Sequence, residues 1–138
     1  MLRKINVLLI IILVTSCNKS HLINPPCPLK ICTDIFTTIG VTFTDNKGNP
    51  IAIENLQVLD ARTSKSLPLE PNGVFYVLGY YRVADDSDLN QLSTEGDDVN
   101  VTATNPATKQ TLTTLFKIAG GCNCQVMKIA GPEKVIFN

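Results

Sequence analysis

Tryptophan is absent from this 138-residue sequence, and histidine occurs once, at position 21. A general base must be held within hydrogen-bond reach of its proton. His21 stands in a segment that reads as a flexible tether, so Ser-His-Asp and Cys-His arrangements are excluded. Basic clusters are missing as well. After Arg3-Lys4 the Lys and Arg residues fall singly, and 12 basic groups balance 12 acidic ones. Nucleic acid is therefore excluded as the main partner, because phosphate neutralisation needs clustered cations. No apolar run reaches the roughly 20 residues of a membrane-spanning helix. There is no internal repeat, no low-complexity segment, and no long stretch of helical periodicity.

The beginning of the chain has a different character. Met1-Leu2-Arg3-Lys4 is a short basic start, and Ile5 to Val14 is apolar except for Asn6. Thr15, Ser16 and Cys17 follow. This is the layout of an export signal: charged, then apolar, then small residues before a cut. Val14-Thr15-Ser16-Cys17 resembles a bacterial lipobox, an aliphatic residue and two small residues before a Cys. The resemblance implies cleavage before Cys17, a diacylglycerol on its thiol and an acyl chain, typically palmitate, on its new amino terminus. Two or three chains give the stable anchoring that one does not. The expected layout is a signal peptide over 1–16, a lipidated Cys with a tether over 17–30, and a folded domain over 31–138. Pro25, Pro26 and Pro28 forbid regular structure in the tether.

Five cysteines are an odd number, and Cys17 accounts for the odd one. Cys27, Cys32, Cys122 and Cys124 remain, and in an exported chain they read as disulfides. Direct pairing of Cys122 with Cys124 is disfavoured, because residues two apart on a strand share a face and would strain the bridge. Cys27–Cys122 with Cys32–Cys124 keeps chain order and is preferred. Cys27–Cys124 with Cys32–Cys122 stays open for antiparallel neighbours. A four-thiolate zinc site is the rival, but Cys-x-Cys is not the usual knuckle spacing.

From Ile31 on, the pattern is β. Ile35, Thr37, Ile39, Val41 and Phe43 alternate with Phe36, Thr38, Gly40, Thr42 and Thr44, as a half-buried strand does. Further strands are expected near Leu56–Ala61, Val74–Val83, Val99–Thr104, Thr111–Ile118, Cys124–Ala130 and Val135–Phe137. Asp45-Asn46-Lys47-Gly48-Asn49-Pro50, Thr63-Ser64-Lys65-Ser66, Pro71-Asn72-Gly73 and Asn105-Pro106-Ala107-Thr108 are turns, and Gly120-Gly121 is a break. Asp85 to Asp98 reads as a polar connection with one helical turn. About seven short strands separated by turns predict an all-β sandwich.

Gly40 to Ile51, with its D-x-x-G-x-P turn, resembles the opening of transthyretin-like, or carboxypeptidase-regulatory-like, domains. Leu56 to Asp60, the Thr63 turn and Asn72 to Tyr76 extend the resemblance over roughly 35–82. It implies an Ig-like/transthyretin-like sandwich. Cys122 to Pro132 looks like the closing strand of small Bacteroidetes-type lipoproteins of unassigned function. That grouping implies a fold and a place, not an activity. The transthyretin-like family includes a ureido-hydrolase that uses His, Arg and a Tyr-Arg-Gly-Ser tail. This chain ends Val135-Ile136-Phe137-Asn138, so that activity is not carried over.

Three candidate chemistries remain. Asp85 with Asp86, and Asp97 with Asp98, read as solvated loop charges. Asp86, Asp88 and Asn90 match the first three ligand positions of an EF-hand-type calcium loop, but Gln91 stands where Gly is needed and Asp97 where Glu is usual. The bland reading is a polar loop, with no metal and no cofactor. Tyr80, Tyr81 and Arg82 form a candidate ligand patch, since Tyr suits interfaces and sugar platforms. The favoured function is a non-enzymatic, lipid-anchored accessory or interaction module of the bacterial envelope, with an envelope protein as partner. Asn18-Lys19-Ser20-His21 carries no acidic residue, which favours the outer membrane facing the periplasm over surface display. A carbohydrate- or peptide-binding lipoprotein using the tyrosines is the alternative, and a hydrolase comes third.

Overall fold

The computed structural model describes residues 27–68 and 77–138. The expected signal peptide, Cys17, His21, the turn at 71–73, Phe75 and Tyr76 lie outside the described residues. Eight strands form among the described residues: β1 Thr38–Thr44, β2 Glu54–Asp60, β3 Lys65–Ser66, β4 Tyr80–Asp85, β5 Asp97–Thr104, β6 Thr111–Ala119, β7 Met127–Ala130 and β8 Lys134–Ile136. One sheet has the order β4-β1-β8, and the other β3-β2-β5-β6-β7. The protein is thus mostly β, with two sheets, an arrangement compatible with an all-β sandwich. No helix among the described residues is long and apolar enough to cross a membrane.

Alternation explains the strongest strands. In β5, Asp97, Val99, Val101 and Ala103 are buried while Asp98, Asn100 and Thr102 face outward, the period-2 pattern of a strand with one covered face. Its antiparallel partner β6 aligns Val99 with Phe116 and Asn100 with Leu115. On the outer face, Thr102 and Thr113 join hydroxyls at 2.8 Å, and Thr104 and Thr111 at 2.9 Å. Such cross-strand pairs fix register. Val41 and Phe43 of β1, Val83 of β4, Val58 of β2, Phe116 and Ile118 of β6, and Phe137 after β8 form one core between the sheets. The ring of Phe43 meets that of Phe137 at 5.9 Å.

β1 is the middle strand of its sheet. It pairs antiparallel with β4 and parallel with β8, so the last strand lies against the first. The turn after β1 forms as its residues dictate. The carboxylate of Asp45 accepts from the amides of Lys47 and Asn49, and Gly48 takes the positive φ of 84° that a Cβ would resist.

Three expected strand segments are shorter than their patterns. Residues 35–37 precede β1 as irregular chain, and Ile35 and Phe36 are exposed. The amide of Thr37 goes to the carboxylate of Asp86 at 2.7 Å instead of to a strand. Residues 77–79 turn with Gly79 at φ 80°, so the tyrosine-bearing strand starts only at Tyr80. Cys124 to Val126 are irregular, and the amide of Val126 also goes to Asp86, at 2.8 Å. In the first and third cases a carboxylate has taken an amide that a ladder would use.

Candidate functional site

The functional geometry gathers at one end of the sheets, where three segments meet: the incoming chain 27–37, the β6–β7 loop, and the connection from β4 to β5. Two disulfides fix the first to the second. Cys27 joins Cys122 with Cα atoms 5.2 Å apart, and Cys32 joins Cys124 at 5.4 Å. The pairing keeps chain order. Residues 27–30, expected as tether, are therefore held to the domain, because Cys27 is already cross-linked. Between the two half-cystines, Pro28, Leu29, Lys30 and Ile31 are all exposed.

The glycine pair in the β6–β7 loop makes close approach possible. The amide of Gly120 donates to Ser93 O at 2.8 Å, and that of Gly121 to Leu89 O at 2.6 Å. Gly121 has φ 58°, and a Cβ there would lie 2.8 Å from the Thr94 amide nitrogen. Thr94 binds the loop in turn: its hydroxyl accepts from the Cys122 amide at 2.9 Å, and its carbonyl from Asn123 Nδ2 at 2.9 Å.

The connection itself is a built structure. A 3-10 helix spans Asp86–Gln91, capped by Asp85. Asp85 Oδ1 accepts from the Ser87 amide, and Asp88 Oδ2 accepts from the Asp85 amide, so the two carboxylates form a reciprocal capping box. Arg82 reaches into this box from β4. Its Nε lies 2.5 Å from Asp85 Oδ2 as an ion-pair contact without hydrogen-bond alignment. Its other nitrogens donate to Asp88 Oδ2, to Ser87 Oγ and to the carbonyl of Pro68. Arg82 is only 7 % exposed and Asp88 is fully buried. Burial pushes the Asp88 carboxyl above the ordinary carboxylate range, against the pull of the Asp85 amide and Arg82. Burial also pushes Asp85 upward, but the hydrogen bonds from Ser87 and the adjoining Arg82 guanidinium outweigh it and leave that carboxyl lowered.

A second pair closes the other side of the connection. Asp97, first residue of β5, is 4 % exposed and accepts from Arg62 Nε at 2.7 Å and from the Ser93 amide at 2.7 Å. Burial raises Asp97, yet Arg62 and Ser93 together hold it below the usual range. Arg62 also donates to Gln91 O at 2.9 Å. Beside it, buried Asp60 accepts from the Arg62 amide and the Thr63 hydroxyl, at 2.9 and 2.6 Å. An open cleft of about 580 Å3 lies here, bordered by Arg62, Lys65, Asn90, Ser93, Thr94 and the Cys27–Cys122 bridge.

These positions correct several expectations. Asp85 and Asp97 are not solvated loop charges; they are buried and ion-paired, while Asp98 is exposed. Asp86 is half-buried and holds the Thr37 and Val126 amides with its two oxygens. The calcium pattern Asp86, Asp88 and Asn90 does not gather as a ligand set: Asp88 neutralises Arg82, and Asp86 is spent on amides. Among the described residues no group of three His, Cys, Asp or Glu side chains is placed to hold a metal. The Tyr80, Tyr81 and Arg82 patch divides across the strand. Tyr81 packs edge-on against Phe43 with centroids 5.6 Å apart, and its hydroxyl accepts from the Ile53 amide. Tyr80 lays its ring over Gly40, where a Cβ would come within 2.2 Å of it. Arg82 is buried.

Asp60, Arg62 and Asp88 as structural charges were missed in the sequence. One signal was available: Asp85-x-x-Asp88 has the spacing of a capping box. Nothing local marks the pairing of Arg62 with Asp97, which are 35 residues apart. Compared with protein-family models, with curated proteins and with solved structures, the chain matches none of them.

Proposed function

We propose that this chain is a non-enzymatic lipoprotein, anchored to a bacterial membrane through Cys17 and serving as an accessory or interaction module of the envelope. One observation carries the reading. Two bridges use Cys27, Cys32, Cys122 and Cys124, which leaves Cys17 over, directly behind an apolar run of export type. Disulfides persist in oxidising compartments, which supports export. The lack of acidic residues after Cys17 supports the outer membrane facing the periplasm. The transthyretin-like kind of sandwich is part of the same proposal; the D-x-x-G turn closed by Asp45 and Gly48 supports it.

Mass spectrometry of the mature amino-terminal peptide tests the anchor. The expected species begins at Cys17 and carries diacylglycerol plus an acyl chain. An unmodified Cys17 in membrane-derived protein overturns the reading. Cross-linking in intact cells through a C-terminal tag tests the module: a stoichiometric envelope protein is expected.

The cleft beside Arg62 favours a second reading, capture of a polar glycan or peptide. It moves the ligand site from the tyrosines to Lys65, Asn90 and Thr94. Saturable glycan binding that disappears in a Lys65→Ala, Asn90→Ala variant is the outcome expected from it.

A further inference from the structure

The described chain opens with a short strap, residues 27–37, that carries four exposed apolar side chains. Leu29 and Ile31 are fully exposed, and Ile35 and Phe36 are 65 % and 66 % exposed. Isolated exposed apolar residues are ordinary. Four within eight positions, on a segment outside either sheet, are not. The strap is also fixed. Cys27 and Cys32 pin both ends of the Pro28–Ile31 loop, and the amide of Thr37 is bound to Asp86. Its carbonyl at Ile35 accepts from Gln125 Nε2. A pinned loop loses little freedom when its side chains leave water.

We infer that this strap is a lipid-contacting surface: Leu29, Ile31 and Phe36 enter the headgroup boundary of the bilayer and set the orientation of the domain. The inference deepens the proposed lipid anchor and rests on it. The occupant follows from the length of chain before the strap. Cys17 stands ten positions before Cys27, and a fully extended chain spans at most about 3.3–3.6 Å per residue. A lipid on Cys17 therefore holds the strap within about 36 Å of the membrane at full stretch, and closer when the proline-containing tether is bent. Membrane is then the apolar medium nearest to these side chains. Lys30 and Asp34 are the only charges on the strap and oppose each other. Apolar entry, not attraction to anionic headgroups, is the recognising chemistry.

The absence of tryptophan supplies the experiment. Full-length lipidated Phe36→Trp and Ile31→Trp variants are each placed in phosphatidylcholine–phosphatidylethanolamine vesicles. An Ala107→Trp variant, in the β5–β6 turn at the far end of nine-residue β6, is the reference. The expected result is a blue shift at positions 31 and 36, loss of emission as brominated phosphatidylcholine is added, and neither change at position 107. Added anionic lipid should leave the quenching unchanged. If the protein floats with the vesicles but positions 31 and 36 are not quenched, the strap inference is overturned and the anchor stands. A blue shift without bromine quenching overturns it in favour of burial of the strap against a second copy of this chain. Protein that does not float overturns the anchor, and the inference with it.

Discussion

Two polar stretches that look alike in the sequence do opposite work. Asp45-Asn46-Lys47-Gly48-Asn49 and Asp85-Asp86-Ser87-Asp88 are both runs of polar residues between strands. Among the described residues the Asp45 carboxylate bonds only within its own turn, to Lys47 and Asn49. The second run reaches across the molecule: Asp86 holds amides 49 and 40 residues away, and Asp88 is sealed against Arg82. The first turn shapes a loop that water also supports. The second holds together segments that have little sheet between them.

That contrast orders the expected effects. The largest comes from the covalent part of the clamp. A variant with Cys27, Cys32, Cys122 and Cys124 all replaced by Ser opens both bridges, which span 95 and 92 positions, and the chain-entropy cost is at least about 4–5 kcal/mol. Urea denaturation should show a correspondingly lower midpoint. Next comes Asp88→Ala, which leaves Arg82 buried beside a single carboxylate. Breaking a buried pair costs about 3–5 kcal/mol, read by the same method. Gly121→Ala follows. It combines a positive φ with a clash against the Thr94 backbone, and a loss of about 2 kcal/mol is expected.

Asp97→Asn acts through pH. The folded pKa of Asp97 is lowered, so its contribution is complete above the unfolded value of about 3.9 and disappears as pH falls through the folded one. Asp85 has the same sign. Asp88 has the opposite sign: its raised pKa costs stability as pH rises through the window between unfolded and folded values. Thermal unfolding of the Asp97→Asn variant between pH 2 and 6 should show a flatter acid limb. Arg62 is half exposed, so the loss near neutral pH is only about 1 kcal/mol. The smallest effect belongs to Asp45→Ala. It should leave the melting temperature almost unchanged; a fall as large as that of Asp88→Ala would erase the distinction between the two stretches.

Legibility followed the range of the interactions. β5 and β6 could be read almost to the residue, because Val99 and Val101 alternate with Asp98, Asn100 and Thr102, Phe116 and Ile118 flank Lys117, and all four apolar residues face one core. The odd cysteine and the two close pairs point to two long cross-links and favour the order-keeping pairing, but the choice over Cys27–Cys124 with Cys32–Cys122 comes from the structure. The strap could not. Ile35, Phe36 and Thr37 have strand-like composition, but Asp86 and the Cys32–Cys124 bridge draw them away from any ladder. Arg82 and Tyr81 misled for a related reason: their partners come together only in the fold, where the capping box at Asp85 and Asp88 takes the Arg82 guanidinium and Phe43 and the Ile53 amide take Tyr81. The candidate site is therefore the least legible part, since many of its bonds join residues 28 to 95 positions apart.

The pairing of β8 with β1 has a consequence in time. The strand at Lys134–Ile136 completes the sheet whose centre is Thr38–Thr44, and both bridges also join early residues to late ones. Pairings of such sequence separation form slowly and late. During synthesis β1 must wait with one neighbour missing, and Cys27 and Cys32 before it stay unbridged, until residues 122–136 are available. The smaller sheet and both cross-links therefore close together, as a late step of folding.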